Sequence, residues 1–151
     1  MTIALPARAK LNLDLAVLDR REDGFHDVRT TLQAIDLHDL ITLAPADKTT
    51  LTISGLAVAN TPDNSVLRAH AALEEAVKQK LPTAIHLDKR IPPGSGMGGA
   101  SSDAASALRG LTTLHRLKVD LRAIAPALGV LSLAFGIWYA LGAVDAVPYV
   151  F

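Results

Sequence analysis

The residues Pro92-Pro93-Gly94-Ser95-Gly96-Met97-Gly98-Gly99-Ala100-Ser101-Ser102-Asp103 put four glycines and two prolines into one short stretch. Glycine lets successive backbone N–H groups turn toward a single point and lets an anion come close. Ala104, Leu108 and Leu111 recur at helical spacing, which predicts a helix from about Ser101 to Leu114. Such a helix would add its unpaired first-turn N–H groups and the positive end of its dipole. Together these features describe a phosphate cradle. Ser101 and Ser102 could cap the helix or bond phosphate oxygens, and their hydroxyls suit the neighbourhood of a magnesium ion. The plainer reading is a glycine-rich turn with a serine cap. Four glycines at one strand-to-helix junction argue against it. No Lys-Ser/Thr follows the last glycine, so this is not a Walker loop. A Rossmann dinucleotide site is likewise not expected.

Other residues could complete a site. Lys10 and Asn12 lie two apart in an alternating stretch and so share a face. A lysine there could neutralise phosphate charge or help a hydroxyl lose its proton. A lone strand lysine is otherwise a solvated surface residue. Phe25 and His26 follow a turn glycine and read, by themselves, as a partly buried anchor. Asn64 precedes a helical pattern and is a natural cap. His38, His70, His86 and His115 show no metal-site pairing and are read as structural or exposed.

These residues need elements to hold them. Ala9–Leu15 alternates apolar and polar side chains, a half-buried strand with Lys10, Asn12 and Asp14 on one face. Arg20–Gly24 is a polar turn. Val28–Leu43 is strand-like but interrupted near Asp36–Asp39, and Leu51–Ile53 is a further strand closed by Ser54-Gly55. Val66, Ala69, Leu73 and Val77 predict a helix opened by Asp63 or Asn64 and stopped at Leu81-Pro82. Ala84–Leu87 is a strand that runs into the glycine loop, and Leu121–Leu128 reads as a short third helix. Strands and helices mix in an α+β or α/β order.

The chain has 151 residues, half of them apolar, with zero formal net charge. Its size suits one domain, and its charge gives no case for nucleic acid as a partner. The absence of cysteine excludes disulfides and a thiolate nucleophile and fits a reducing compartment. Met1–Lys10 lacks a signal-peptide pattern, so a cytoplasmic setting is expected. Ala123–Val144 carries no charge but is interrupted by Pro126, Gly129, Gly136 and Gly142. A buried helix–loop–strand, or a tail foreign to the fold, is favoured over a membrane span.

Pro-x-Gly-x-Gly-x-Gly-Gly-x-Ser-Ser resembles the ATP loop of the superfamily of galactokinase, homoserine kinase, mevalonate kinase and phosphomevalonate kinase. Leu87–Pro92, Pro6–Leu13, Arg20–His26 and Asp63–Ala69 resemble one branch of it, the diphosphocytidyl-methylerythritol kinases, in the right order over roughly residues 3–129. The resemblance implies an α+β domain of the ribosomal protein S5 domain 2-like type with a left-handed β-α-β element. It implies ATP and Mg2+ as cofactors, with Pro92–Ser102 as the ATP loop and Asn64 near the adenine. It also implies Lys10 and Asn12 at the active site, Phe25 and His26 on the cytidine base, and a small-molecule diphosphocytidyl substrate phosphorylated on a hydroxyl. The family's catalytic Asp stands in a Gly-Ala-Asp-Val-Pro segment. Here Val130–Phe135 follows Gly129 instead, and Asp145 in Gly142–Tyr149 is the stand-in. The expected division is 1–129 as the ATP-binding kinase domain and 130–151 as an atypical apolar tail, with the family's second domain absent. The rival reading is a catalytically impaired nucleotide-binding fragment of such a kinase.

Overall fold

The computed structural model describes residues 1–20, 22, 24, 26–121 and 124, together with the backbone of 146–150. Period-two apolar patterning builds a sheet, and two helices cover one of its faces. β1 (Ile3–Arg20) and β2 (His26–Pro45) form a long antiparallel hairpin, from Ile3 opposite Leu43 to Arg20 opposite His26. β2 then pairs antiparallel with β4 (Thr83–Lys89), and β4 pairs parallel with the edge strand β3 (Thr50–Gly55). The main sheet order is β1-β2-β4-β3. The parallel β3–β4 pair is joined by α1 (Ser65–Val77), the crossover such a pair requires. α2 (Gly99–Leu114) follows the glycine loop. The backbone of β5 (Ala146–Val150) runs antiparallel to Arg29–Gln33 of β2.

The core lies between sheet and helices. Ile41 and Leu43 of β2, Ile85 and Leu87 of β4, Val66 and Leu73 of α1, and Leu108 and Leu111 of α2 are all buried. Each buried aliphatic side chain contributes roughly 1.5–3 kcal/mol relative to exposure. Beyond this core the β1–β2 hairpin continues as an arm, along which Leu13, Leu15 and Val17 are exposed.

Three expectations change. β1 extends well past both ends of Ala9–Leu15. β2 continues through Asp36–Asp39 as a strand, and the expected interruption is a shift in pairing register, with His38 opposite Arg8 and Ala34 opposite Lys10. The polar residues there looked like an interruption, but Asp39 shares the inward face of Ile41 and Leu43 and is satisfied inside. α1 stops before Leu81-Pro82, because Lys78 turns left-handed with φ 55° and the Gln79 N–H returns to the Glu74 carbonyl. Of the expected third helix only Leu121 and Ile124 are described, both buried. The rest of it, and all of Ala123–Val144 apart from Ile124, lies outside the described residues. Among the described residues no helix is long and apolar enough to cross a membrane.

Gly55 ends β3 with φ +80°, and a Cβ there would stand 2.2 Å from the Lys89 carbonyl oxygen. That oxygen accepts the Leu56 N–H at 2.8 Å. Gly55→Ala combines left-handed strain with loss of this bond and should cost about 2–3 kcal/mol. The difference in urea unfolding free energy checks it, and an unchanged midpoint would refute it.

Candidate functional site

The glycine loop is shaped by three left-handed residues. Gly94, Gly96 and Gly98 have φ of 73°, 74° and 74° and alternate with Ser95 and Met97. Alternation of this kind turns backbone N–H groups toward a common concavity. Gly99 has a different reason to be glycine. A Cβ there would lie 3.0 Å from both Lys89 Nζ and Ile91 Cγ2.

α2 begins at Gly99, two residues before the expected Ser101, with Gly98 as N-cap and no side-chain capping bond. The expectation that Ser101 or Ser102 caps it is therefore not met. Both serines lie inside the helix, and Ser102 is buried. The first-turn N–H groups have no carbonyl behind them within the helix, which suits an anion. α1 differs. Asn64 caps it, accepting the Val66 N–H at 3.0 Å and donating to the Ala59 carbonyl at 2.9 Å. Its amide is engaged at both ends, so the structure shows the cap.

A cleft of about 480 Å³ opens between these two helix starts. Val58, Ala59, Thr61, Asn64, Ser65 and Arg68 line one side, and Pro92–Gly96 with Gly98–Ser101 line the other. Lys89 and Asp103 form its floor.

Lys10 meets the loop from β1. Its ammonium donates to the Gly96 carbonyl at 2.7 Å and to Asn12 Oδ1 at 2.7 Å, and its backbone N–H donates to the Met97 carbonyl at 3.0 Å. Asn12 donates in turn to Thr30 Oγ1 at 2.8 Å. Partial burial lowers the Lys10 pKa from its ordinary value. A Cβ on Gly98 would touch Lys10 Cγ and Cε at 3.4 Å. Asp14 leaves this face. A register shift separates Asn12 from Asp14, and the Asp14 carboxylate accepts the Thr31 N–H instead.

The structure thus brings Lys10, Asn12 and the loop together. It does not bring His26 to them. His26 pairs with Arg20 at the far end of the hairpin arm and is exposed. Phe25 and Asp145 lie outside the described residues.

One cluster was missed from sequence. Lys89 Nζ, buried, donates to Asp39 Oδ2 and, at 2.8 Å, to Asp103 Oδ2. Asp39 Oδ1 also accepts the Arg90 and Ile91 N–H groups. The signal was present: Thr83, Ile85, Leu87 and Lys89 alternate along β4, so the lysine had to point inward and needed a counter-charge. Asp103 Oδ1 has no partner. Burial, and next to it the second carboxylate at Asp39, outweigh Lys89 and push the Asp103 pKa up to about 7.

The glycine spacing alone does not separate this loop from a dinucleotide fingerprint, since Gly94, Gly96 and Gly99 satisfy G-x-G-x-x-G. The sheet does. β4, which feeds the loop, is antiparallel to β2 and parallel only to β3, unlike a doubly wound parallel sheet.

Fold and loop together match the N-terminal domain of a kinase family. The profile described as GHMP kinases N terminal domain matches residues 64–151. The chain belongs to that family. Within it, the chain is 46% identical over 114 residues to 4-diphosphocytidyl-2-C-methyl-D-erythritol kinase of Salinibacter ruber, covering 76% of this chain and 40% of the relative. It is 41% identical over 129 residues to the enzyme of that name from Alcanivorax borkumensis, covering 83% and 43%. A crystal structure of 4-(cytidine 5'-diphospho)-2C-methyl-D-erythritol kinase superposes with a TM-score of 0.82 at 36% identity, over 99% of this chain and 52% of that one. Homoserine kinase from Cytophaga hutchinsonii, at TM-score 0.60 and 20% identity, shares the fold. The chain spans about two fifths of the length of the curated relatives it matches.

Asp103 gives a pH test. Its folded-state pKa is raised, so the native chain holds a proton that the unfolded chain has already released between about pH 4 and 7. The contribution to stability is full below that window and is lost as pH rises through it. Asp103→Asn removes the titration. The stability of the variant relative to the parent should therefore grow from pH 4 to 7, by at most about 1.4 kcal/mol per unit. Parallel stability–pH curves for the two proteins would refute the assignment.

Proposed function

We propose that this domain binds ATP in the cleft beside the glycine loop and serves transfer of its γ-phosphoryl group to the 2-hydroxyl of 4-diphosphocytidyl-2-C-methyl-D-erythritol, in isoprenoid biosynthesis. The observation that carries this is Lys10. Its ammonium stands against the Gly96 carbonyl, on the strand next to an uncapped helix start. A cation held against the phosphate loop by a second element is what phosphoryl transfer needs, because positioning and electrostatics supply most of the acceleration.

In this reading the N–H groups of Gly94–Ser101 bind the β and γ phosphates. Lys10 orients and polarises the attacking hydroxyl, and Asn12 holds the ammonium. A carboxylate takes the hydroxyl proton as the new O–P bond forms and ADP leaves. We assign that role to Asp145. In support, β5 starts at Ala146 opposite Gln33, and the next β2 residue, Ala34, pairs with Lys10. Phe25 and His26 take the cytosine, with the elongated substrate lying along the β1–β2 arm. Magnesium would reduce the charge on the transferring phosphates. Among the described residues there is no cluster of three acidic or histidine side chains, and Ser101 is the hydroxyl nearest the helix start.

A second reading is nucleotide binding without turnover. It is favoured by the cleft, whose lining among the described residues runs from Val58 to Asp103. The two readings are separated by assaying residues 1–151 for ATP binding and for transfer to the diphosphocytidyl substrate. Transfer that disappears in Lys10→Ala and in Asp145→Asn supports the first, and binding without transfer supports the second. Gly98→Val should abolish ATP binding in a folded protein, because its side chain enters the Lys10 contact and φ 74° is unsuited to valine. Undiminished ATP affinity in that variant would remove the loop from both readings. Base selectivity is a further check. Binding of the diphosphocytidyl form should weaken in Phe25→Ala by about 1–3 kcal/mol, the usual loss of a stacking partner. Equal affinity for the diphosphouridyl form would count against a cytidine site.

A further inference from the structure

The glycine loop does little to define its own shape. Its internal hydrogen bonds are long, Ser95 N–H to the Pro92 carbonyl at 3.3 Å and Met97 N–H to Ser95 Oγ at 3.4 Å. Left-handed glycines impose little by themselves. The shape must be set from outside, and the two ends of the loop are both tied to one side chain. Asp39 is fully buried on β2, behind the cleft and not among its lining residues. Its Oδ1 accepts the N–H groups of Arg90 and, at 2.7 Å, Ile91, the last two residues before Pro92. Its Oδ2 accepts Lys89 Nζ, which reaches Asp103 in the second turn of α2 at 2.8 Å. The same ammonium lies 3.0 Å from where a Cβ on Gly99 would stand, close to the helix start.

We infer that Asp39 is a positioning residue for the nucleotide phosphates. It fixes the loop entry through two backbone amides and the loop exit through Lys89, and so sets where the loop N–H groups converge while touching no ligand. This rests on the reading of the loop as an ATP phosphate site. A carboxylate that merely stabilised the sheet would affect every ligand alike, through the fraction of folded protein. A positioning residue affects only the part of binding that depends on phosphate.

The experiment is titration of the 1–151 chain with ATP and with adenosine by NMR, at a temperature where circular dichroism shows each protein folded. The parent chain should prefer ATP. In Asp39→Asn the ATP affinity should fall about 10- to 100-fold, the usual effect of displacing a binding group by about an ångström, while adenosine affinity stays where it was. An equal loss for both ligands, or no loss for either, overturns the inference. If Asp39→Asn does not fold, Asp39→Ser carries the test, since it also removes the carboxylate but keeps Lys89, which lines the cleft. The same selective loss of ATP supports the inference, and a preserved ATP preference overturns it. A parent chain with no preference for ATP over adenosine would overturn the phosphate-loop reading itself, before any variant is made.

Discussion

The ammonium of Lys89, buried between the carboxylates of Asp39 and Asp103, is the interaction on which the rest of the structure hangs. It joins β2, β4 and α2 at the point where the packed core gives way to the nucleotide cleft. Apolar contacts hold the same three elements together deeper in, but they are non-directional and do not fix where β4 ends and α2 begins. The ion cluster does. Removing one partner of such a cluster leaves an uncompensated buried charge, typically at about 3–5 kcal/mol. The cluster is also imperfectly compensated as it stands. Two carboxylates share one cation, one oxygen has no partner, and Asp103 holds its proton far above the ordinary carboxylate range. Local stability is thus spent beside the cleft proposed to receive the nucleotide phosphates.

The two helix starts at the cleft illustrate how the fold divides its labour. Asn64 closes α1 with its own side chain and ties down Ala59, so that end is structurally complete. Gly98 leaves α2 without a side-chain cap. The left-handed turn at Gly98 also lets Lys10 lie against the backbone, since a Cβ would meet the lysine stem at 3.4 Å. One glycine therefore serves the open helix start and the approach of the cation. The loop is held by β4 and α2 from behind and by β1 from the side.

Much of this was legible in the sequence. The loop, both helices and the strand before the loop followed from glycine placement and apolar period, because each is a local property. Lys10 and Asn12 share a face because two is the strand period, and they are bonded to each other. What misled was polarity read one residue at a time. Asp39 looked like a break in β2, although its spacing from Ile41 and Leu43 placed it inward. Lys89 was absorbed into a motif, although its spacing from Ile85 and Leu87 required burial. Ser101 and Ser102 looked like caps, but Gly98 and Gly99 were able to start the helix first. The serine error is local, but the other two concern a partner far away in the chain: Lys89 finds Asp39 at a separation of 50 residues. Pairing of that kind appears only once strands are in register. The length of the β1–β2 arm was hidden for the same reason, since its distal half gains its order from cross-strand bonds rather than from a buried face.

The arrangement also separates two functions along the chain. The cleft is built from Val58 to Asp103, a contiguous segment whose elements pack on one another. Of the residues proposed for the acceptor base, His26 lies opposite Arg20 at the far end of the β1–β2 arm, and its distance from the loop is set by strand register. Three register shifts, at Arg8/Lys10, Asn12/Asp14 and Val17/Arg20, interrupt that arm. Such irregularities bend and twist a hairpin, and here the first two flank Lys10 and Asn12. They release the Lys10 N–H to Met97 and turn the Asp14 carboxylate onto Thr31. β5 then lies against the part of β2 that faces this stretch, from Arg29 to Gln33. In the proposed reading, nucleotide recognition is accordingly the more local property and depends on one loop and its anchors. Acceptor recognition, as proposed, would depend on the curvature of a long hairpin along which Leu13, Leu15 and Val17 are exposed.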